Sequence, residues 1–278
     1  MWLAGHLGEH GAAHGQATAG WAAFDAVVLL VLAAAAAGYA LALWSARGRT
    51  PWPLPRTAAW YVGLACAGVA LTGPLAEAAH ASFTAHMAGH LLLGMLAPLL
   101  LVLSAPITLG LQALPVARAR SLSRLLRSPF VRVVTYPVTA AVLNAGGLWL
   151  LYTTDLYTLM HSSVLIHALV HAHVFLAGYV FTASIVGVDP DPHRAPIRVR
   201  AVVLVAFIAA HSILAKWLYA NPPAGVETAD GQLGSQLMYY GGDAVDVTLI
   251  VLLLAGWYRA TRPREPVRQA QSASPKSR

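Results

Sequence analysis

Apolar residues fall into seven runs along the chain, at about 22–45, 57–76, 84–111, 131–152, 162–187, 200–220 and 236–258. Each approaches the roughly 20 residues that carry a helix across the hydrocarbon core of a bilayer. Backbone amides in lipid must find partners within their own segment, so runs of this length are expected as helices. The pattern predicts an all-α, polytopic membrane protein with seven transmembrane helices in residues 21–258. Residues 1–20 form a His-rich extracytoplasmic segment, and residues 259–278, rich in Arg, Ser, Pro and Gln, a disordered basic cytoplasmic tail. Between the runs, the prolines of "RGRTPWPLPR" hold the first connection extended. Thr72, Gly73 and Pro74 predict a kink in the second helix. The loop "VARARSLSRLLRSPF" sets Arg among Leu and is expected to lie along the inner lipid surface, while "GVDPDPHRAPIRVR" reads as a Pro-rich turn. No basic residue precedes Trp21 and no cleavage-site pattern follows, so 22–45 is expected to be a retained helix rather than a signal peptide.

Composition agrees with this pattern. The 278 residues are 58% hydrophobic and 10% charged, with a mean hydropathy of +0.61, where a soluble domain usually carries about 25% charged residues. A net charge of +7 would fit nucleic acid if it were clustered, but the basic residues occupy alternate loops. They are Arg47, Arg49 and Arg56; Arg118, Arg120, Arg124, Arg127 and Arg132; Arg194, Arg198 and Arg200; and Arg259, Arg262, Arg264, Arg268, Lys276 and Arg278. By the positive-inside rule these 17 of 18 basic residues mark the cytoplasmic side, leaving Lys216 opposite. The N-terminus is therefore expected outside the plasma membrane and the C-terminus in the cytoplasm. Nucleic acid is not a partner on this reading. The lone Cys66 excludes an internal disulfide and a two-thiolate metal site.

The same topology places 11 of the 12 histidines toward the outer side, with only His193 inside. His90, His167, His171 and His211 fall roughly 8 to 16 Å inward from the outer helix ends at about 1.5 Å per residue. The last helix brings Tyr239, Asp243 and Asp246 to a similar level on one face. Ionisable groups at such depth are costly and usually face the bundle interior, which makes them candidates for function. A metal ion would compensate both the acids and the imidazoles. His86 and His90 are i and i+4, as are His167 and His171, so each pair shares a helix face. The proposed ligands are His90, His167, His171 and one of Asp243 or Asp246, with His86 and His211 as access or supporting groups.

Several of these positions have a structural reading beside the chemical one. His173 points about 160° from His171 and, like Asn144, reads as helix-to-helix glue. His86 could cap its helix, and Tyr239 reads either as an interfacial aromatic or as a support for the site. Met87, Met95, Met160 and Met238 are soft copper ligands but also common gap fillers. His6, His10 and His14 with Glu9 read equally as a weak chelate or as solvated sequence.

At these residues the chain resembles the CtaG family, the cytochrome c oxidase assembly factors associated with caa-type oxidases. The matching pieces are "HMAGHLLLGMLAPLLLVLSAP" at 86–106, "HALVHAHVFLAGYVF" at 167–181 running on to "GVDPDP", His211 in "HSILAKWLY", and "YYGGD" at 239–243, in order over about 57–258. The resemblance implies help in maturing a copper-containing oxidase, with copper as the metal and an oxidase subunit or another copper-handling protein as partner. It carries His86, His90, His167, His171, His173, His211 and Asp243, and Asp246 with less weight. An assembly or metal-handling role is favoured over an enzyme. Two alternatives stand beside it: a zinc-dependent intramembrane hydrolase, with the second carboxylate as base, and a haem electron-transfer protein with His90 opposite His171 or His211.

Overall fold

In a computed structural model, residues 3–49 and 51–262 are described, with side chains from residue 19 onward. His6, His10 and His14 and the tail beyond residue 262 lie outside those side chains. All regular secondary structure among the described residues is helical, with no strand. In chain order the helices are α1 (Leu3–Ala46), α2 (Leu54–Leu71), α3 (Pro74–Ala79) and α4 (Phe83–Leu91). A single π-helical segment, Leu92–Leu96, joins α4 to α5 (Ala97–Leu103), and α6 (Pro106–Ala113), α7 (Val116–Leu126) and α8 (Pro129–Val134) follow. The chain then forms α9 (Pro137–Thr153), α10 (Leu156–Ser162), α11 (Val164–Val186), α12 (Ile197–Ala220) and α13 (Thr228–Thr261).

Five stretches are long and apolar enough to cross a membrane: Ala19–Ala46, Phe83–Leu103, Val164–Val186, Ile197–Ala220 and Thr228–Thr261. The other two expected spans are shorter helices, α2 with 18 residues and α9 with 17. Proline sets both limits. Pro137 lacks the amide that would continue a helix backward, so the apolar run from 131 splits into α8 and α9. At Gly73, with φ of +77°, the chain leaves α2 and restarts at Pro74, giving a break where a kink was expected. Likewise the long third run stops at Ala105, which takes the left-handed φ of +52° before Pro106. Leu29, Leu30, Leu41, Leu176, Val202, Val205 and Val251 lie exposed on the longest helices. Apolar surface on this scale is covered by lipid, and the protein is a membrane protein.

Two buried clusters form the interior. One gathers Phe83, Met87, Leu148, Leu151, Tyr152, Met160, Leu214, Leu218 and Met238. The other gathers Leu99, Ala140, Phe181, Ile185, Leu204, Phe207, Leu249 and Leu253. Met87, Met160 and Met238 are almost fully enclosed in the first and fill the core as apolar side chains. α4 lies against α13, α13 against α12, and α11 against α9, α5 and the π segment. The closest approach is at Gly178 of α11, where a Cβ would stand 2.1 Å from the Gly94 carbonyl oxygen. Only a residue without a side chain permits that contact.

Two carboxylates cap helix starts within the segment from Phe83 to Ala113. At the head of α4, Asp230 of α13 accepts hydrogen bonds from Ser82 Oγ at 3.1 Å, the Phe83 amide at 2.6 Å, and the Thr84 amide and hydroxyl at 3.1 and 2.6 Å. At the head of α6, Asp189 accepts from the Ile107 and Thr108 amides at 3.2 and 2.7 Å and from the Thr108 hydroxyl at 2.6 Å. Both meet the otherwise unpartnered amides of a helix N-terminus with negative charge. The Asp189 turn is the Pro-rich loop "GVDPDP". α7, in the preceding Arg- and Leu-bearing loop, has a strongly one-sided apolar face.

Candidate metal centre

Between the two apolar clusters lies a polar layer. α4 carries Phe83 and Met87 in the first cluster, then His90, before the chain reaches Leu99 in the second. α12 passes from Phe207 in the second cluster through His211 to Leu214 in the first. α13 runs from Met238 through Asp246 to Leu249. His90, His211 and Asp246 are 7%, 2% and 1% exposed. The ring centres of His90 and His211 lie 6.2 Å apart, with planes 25° from parallel. Nε2 of each, and both carboxylate oxygens of Asp246, are buried and make no hydrogen bond. Gly242 makes room for this: a Cβ there would lie 2.6 Å from Cε1 of His211, so the ring packs directly on the α13 backbone. Asp243 is half-exposed one turn away and close enough to act electrostatically on Asp246.

Unpaired polar atoms inside a membrane bundle are expensive, and an ionised carboxylate without a partner most of all. Imidazole nitrogen and carboxylate oxygen are both donors that a cation accepts. With metal–nitrogen bonds of about 2.0–2.1 Å, two imidazoles on one ion hold their ring centres roughly 5 to 6.5 Å apart; the His90–His211 separation falls in that interval. The residue types fit a borderline or hard cation, with imidazole and carboxylate as donors. Among the described residues, no three His, Cys, Asp or Glu side chains are placed to hold one metal ion.

The remaining predicted histidines gather elsewhere. His167 and His171 stack one turn apart on α11 with centres 4.0 Å apart. His80 lies 5.7 Å from His167 and 5.9 Å from His161, and His161 lies 6.0 Å from His86. The structure therefore brings His90 to His211, and brings His167 and His171 to His80. His171 still lies within electrostatic range of His90. His86 is hydrogen-bonded through Nε2 to the Tyr152 hydroxyl at 3.0 Å and packs against Tyr157, so it has the partner His90 lacks.

Ring tautomers follow from the carbonyls they meet, since a carbonyl can only accept. His171 donates from Nδ1 to the His167 carbonyl at 2.9 Å, and His161 from Nδ1 to the Tyr157 carbonyl at 2.8 Å. That hydrogen bond leaves Nε2 as the acceptor position of the neutral form of each ring. His173 donates from Nε2 to the Leu143 carbonyl of α9 at 3.0 Å. A Cβ at Gly147 would fall 2.4 Å from that nitrogen, so Gly147 is what admits this helix-to-helix bond. Asn144 is buried in α9. Tyr239 is half-buried between the Lys216 ammonium, 5.1 Å from its ring centre, and Tyr240.

His80 and His161 are the residues that sequence spacing did not single out. His80 sits at the end of the short α3, and burial together with His161 holds its imidazole below the usual histidine range, against the opposing pull of Asp25. The available signal was the one-sided distribution of histidines, which includes both.

The sequence matches the family described as cytochrome c oxidase caa3 assembly factor over residues 37–260. It is 31% identical over 263 residues to an uncharacterized protein of Mycobacterium bovis and, equally, to one of Mycobacterium tuberculosis, covering 86% of this chain and 40% of each relative. A protein of Mycobacterium leprae is 28% identical over 236 residues, 77% of this chain and 36% of its own length. The chain thus spans about two-fifths of the length of these curated relatives. No solved structure matches.

Proposed function

This chain belongs to the cytochrome c oxidase caa3 assembly factor family, and on that footing we propose that it takes up a copper ion as cargo and passes it to an oxidase subunit. The ion is held by His90 and His211 with Asp246, and His167 and His171 serve the approach to it. The observation that carries this reading is the set of buried atoms without partners: Nε2 of His90 and of His211, and both oxygens of Asp246. In the same reading all seven apolar runs cross the plasma membrane with the N-terminus outside. The charge asymmetry of the loops supports the orientation. The shortest helix, α9, extends roughly 26 Å at about 1.5 Å per residue, close to the ~30 Å core. The histidine-bearing end then faces outward, toward the partner subunit.

A zinc hydrolase is the second reading, and one observation favours it. Asp243 stands half-exposed beside the buried Asp246, where it could serve as the base for a metal-bound water.

Bound metals measured by mass spectrometry on protein purified from membranes separate the readings. About one equivalent of copper, lost in the His90→Ala, His211→Ala double variant, supports cargo binding; zinc supports the hydrolase; and a Soret band would point to haem. Deleting the gene should lower oxidase activity and its copper content, and an oxidase unchanged in both sinks the assembly role.

A further inference from the structure

We propose that the corner between the end of α1, α6 and α7 is a binding site for one anionic phospholipid, whose phosphate is held by Arg49, Arg120, Arg124 and Arg127. A cavity of about 1010 Å³ lies there, and all four arginines line it with no Asp or Glu on its wall. It follows the far end of the membrane-long segment Phe83–Leu103 from His86 and His90, and it shares no residue with the candidate metal centre. That this end is the cytoplasmic one rests on the orientation proposed above, whereas the lipid site does not.

The fold brings these cations together from two directions. α6 ends at Leu114, and the extended Pro115 turns the chain into α7. Along α7 and its C-cap, Arg120, Arg124 and Arg127 recur at spacings of four and three, which places them on one helix face. Arg49 comes from the turn after α1, and α1 packs against α6. Tyr39, Ala46 and Leu109 fix that contact as a buried apolar cluster. The Tyr39 hydroxyl donates to the Ser104 carbonyl at 3.3 Å and accepts from Nε1 of Trp52 at 3.0 Å. Arg124 donates to Ser121 Oγ at 3.1 Å; a guanidinium carries five N–H donors, so this bond orients the side chain and leaves others for a ligand.

Four guanidiniums on one wall without a carboxylate favour an anion between them, and the planar fork of Arg matches a pair of phosphate oxygens. The apolar part of the wall decides the class of anion. Leu111, Leu114 and Val116 line the same cavity, and Val116 and Leu125 of α7 and Phe130 and Val133 of α8 are exposed. A soluble phosphate would leave that surface in water. A phospholipid covers it with acyl chain while its headgroup meets the arginines, as basic pockets beside membrane helices do. Bound there, one lipid ties the end of the first helix to the surface helix α7.

The test uses the full chain in nanodiscs of phosphatidylcholine with a minor share of phosphatidylglycerol, released into detergent for native mass spectrometry that counts retained lipids. The parent should keep one phosphatidylglycerol against the excess of phosphatidylcholine. Each arginine near a membrane surface contributes about fivefold to such binding, so Arg120→Gln, Arg124→Gln should weaken retention roughly thirtyfold, and Arg49→Gln, on a separate element, roughly fivefold. Arg118→Gln, Arg132→Gln removes the same charge from two arginines that do not line the cavity and should leave retention near that of the parent. Equal losses in the two double variants, or a parent with no preference for phosphatidylglycerol, overturn the proposal. Inorganic phosphate, with chloride matched for ionic strength as the control, should not displace the lipid; displacement would assign the arginines to a soluble anion and overturn the lipid site. Because all five positions are exposed, melting in phosphatidylcholine alone should not change and serves as the folding control.

Discussion

Asp246 offers the sharpest test of the buried layer, because removing it should act in opposite directions with and without metal. Its carboxylate is 1% exposed, and neither oxygen has a hydrogen-bond partner. A buried polar group left unsatisfied costs about 1–3 kcal/mol. Asp246→Ala removes that cost and leaves a void of a few heavy atoms, which at ~24 cal/mol per Å³ returns under about 1 kcal/mol. The metal-free variant should therefore be more stable by about 1–2 kcal/mol. For a chain of this size that raises the melting temperature by roughly 2–8 °C. With copper at about 100 times its dissociation constant, the parent gains about 2.7 kcal/mol by mass action, and the variant should lose most of this gain. The assay is a thermal melt in one detergent at one scan rate, first with chelator and then with metal. If the metal-free variant melts below the parent, the carboxylate contributes to the empty fold. If the variant keeps the metal-induced shift, Asp246 is no ligand.

Three further outcomes follow from contacts elsewhere. Asp230→Ala removes the acceptor from the head of α4 and should cost about 2 kcal/mol, the upper range of a helix cap, read as a lowered melting temperature. Gly178→Ala forces a Cβ to 2.1 Å from the Gly94 carbonyl oxygen; backbone cannot yield there as a flexible side chain would, so a cost of about 3 kcal/mol and a falling yield of monodisperse protein are expected. Gly242→Ala displaces the His211 ring, whose Cε1 would be 2.6 Å from the new methyl, and should weaken metal retention at least tenfold with a smaller effect on melting than Gly178→Ala.

Helix count and histidine depth were legible in the sequence to different degrees. Apolar runs located every long helix, since length and hydropathy are properties of one segment alone. Their limits depended on Gly73, Ala105 and Pro137, where a proline signals an interruption but the neighbouring backbone decides between a bend and a break. Helical spacing placed His90 and His211 at one depth. It could not pair them, because that requires α12 to seat His211 on the bare backbone at Gly242 of α13. His80 escaped notice for a similar reason: it joins His161 of α10 and His167 of α11 only through ring contacts between distant segments. The capping roles of Asp189 and Asp230 rest on amides 81 and 146 residues away, at Thr108 and Thr84, which no local pattern connects to them.

The π segment after His90 is an extra residue spliced into a helix. An α-helix advances about 100° per residue, so each residue beyond Leu96 is turned by about that angle relative to an uninterrupted helix. The stripe that carries His86 and His90 is thereby uncoupled in phase from the stripe that carries Leu99. One face of this segment can present imidazoles to α12 and α13 while the next packs on α2 and α11. The arrangement is sensitive to chain length rather than to side-chain identity. Deleting one residue within 92–96 would restore regular winding and turn the histidine stripe away from its partners, even though every proposed ligand would remain in the sequence.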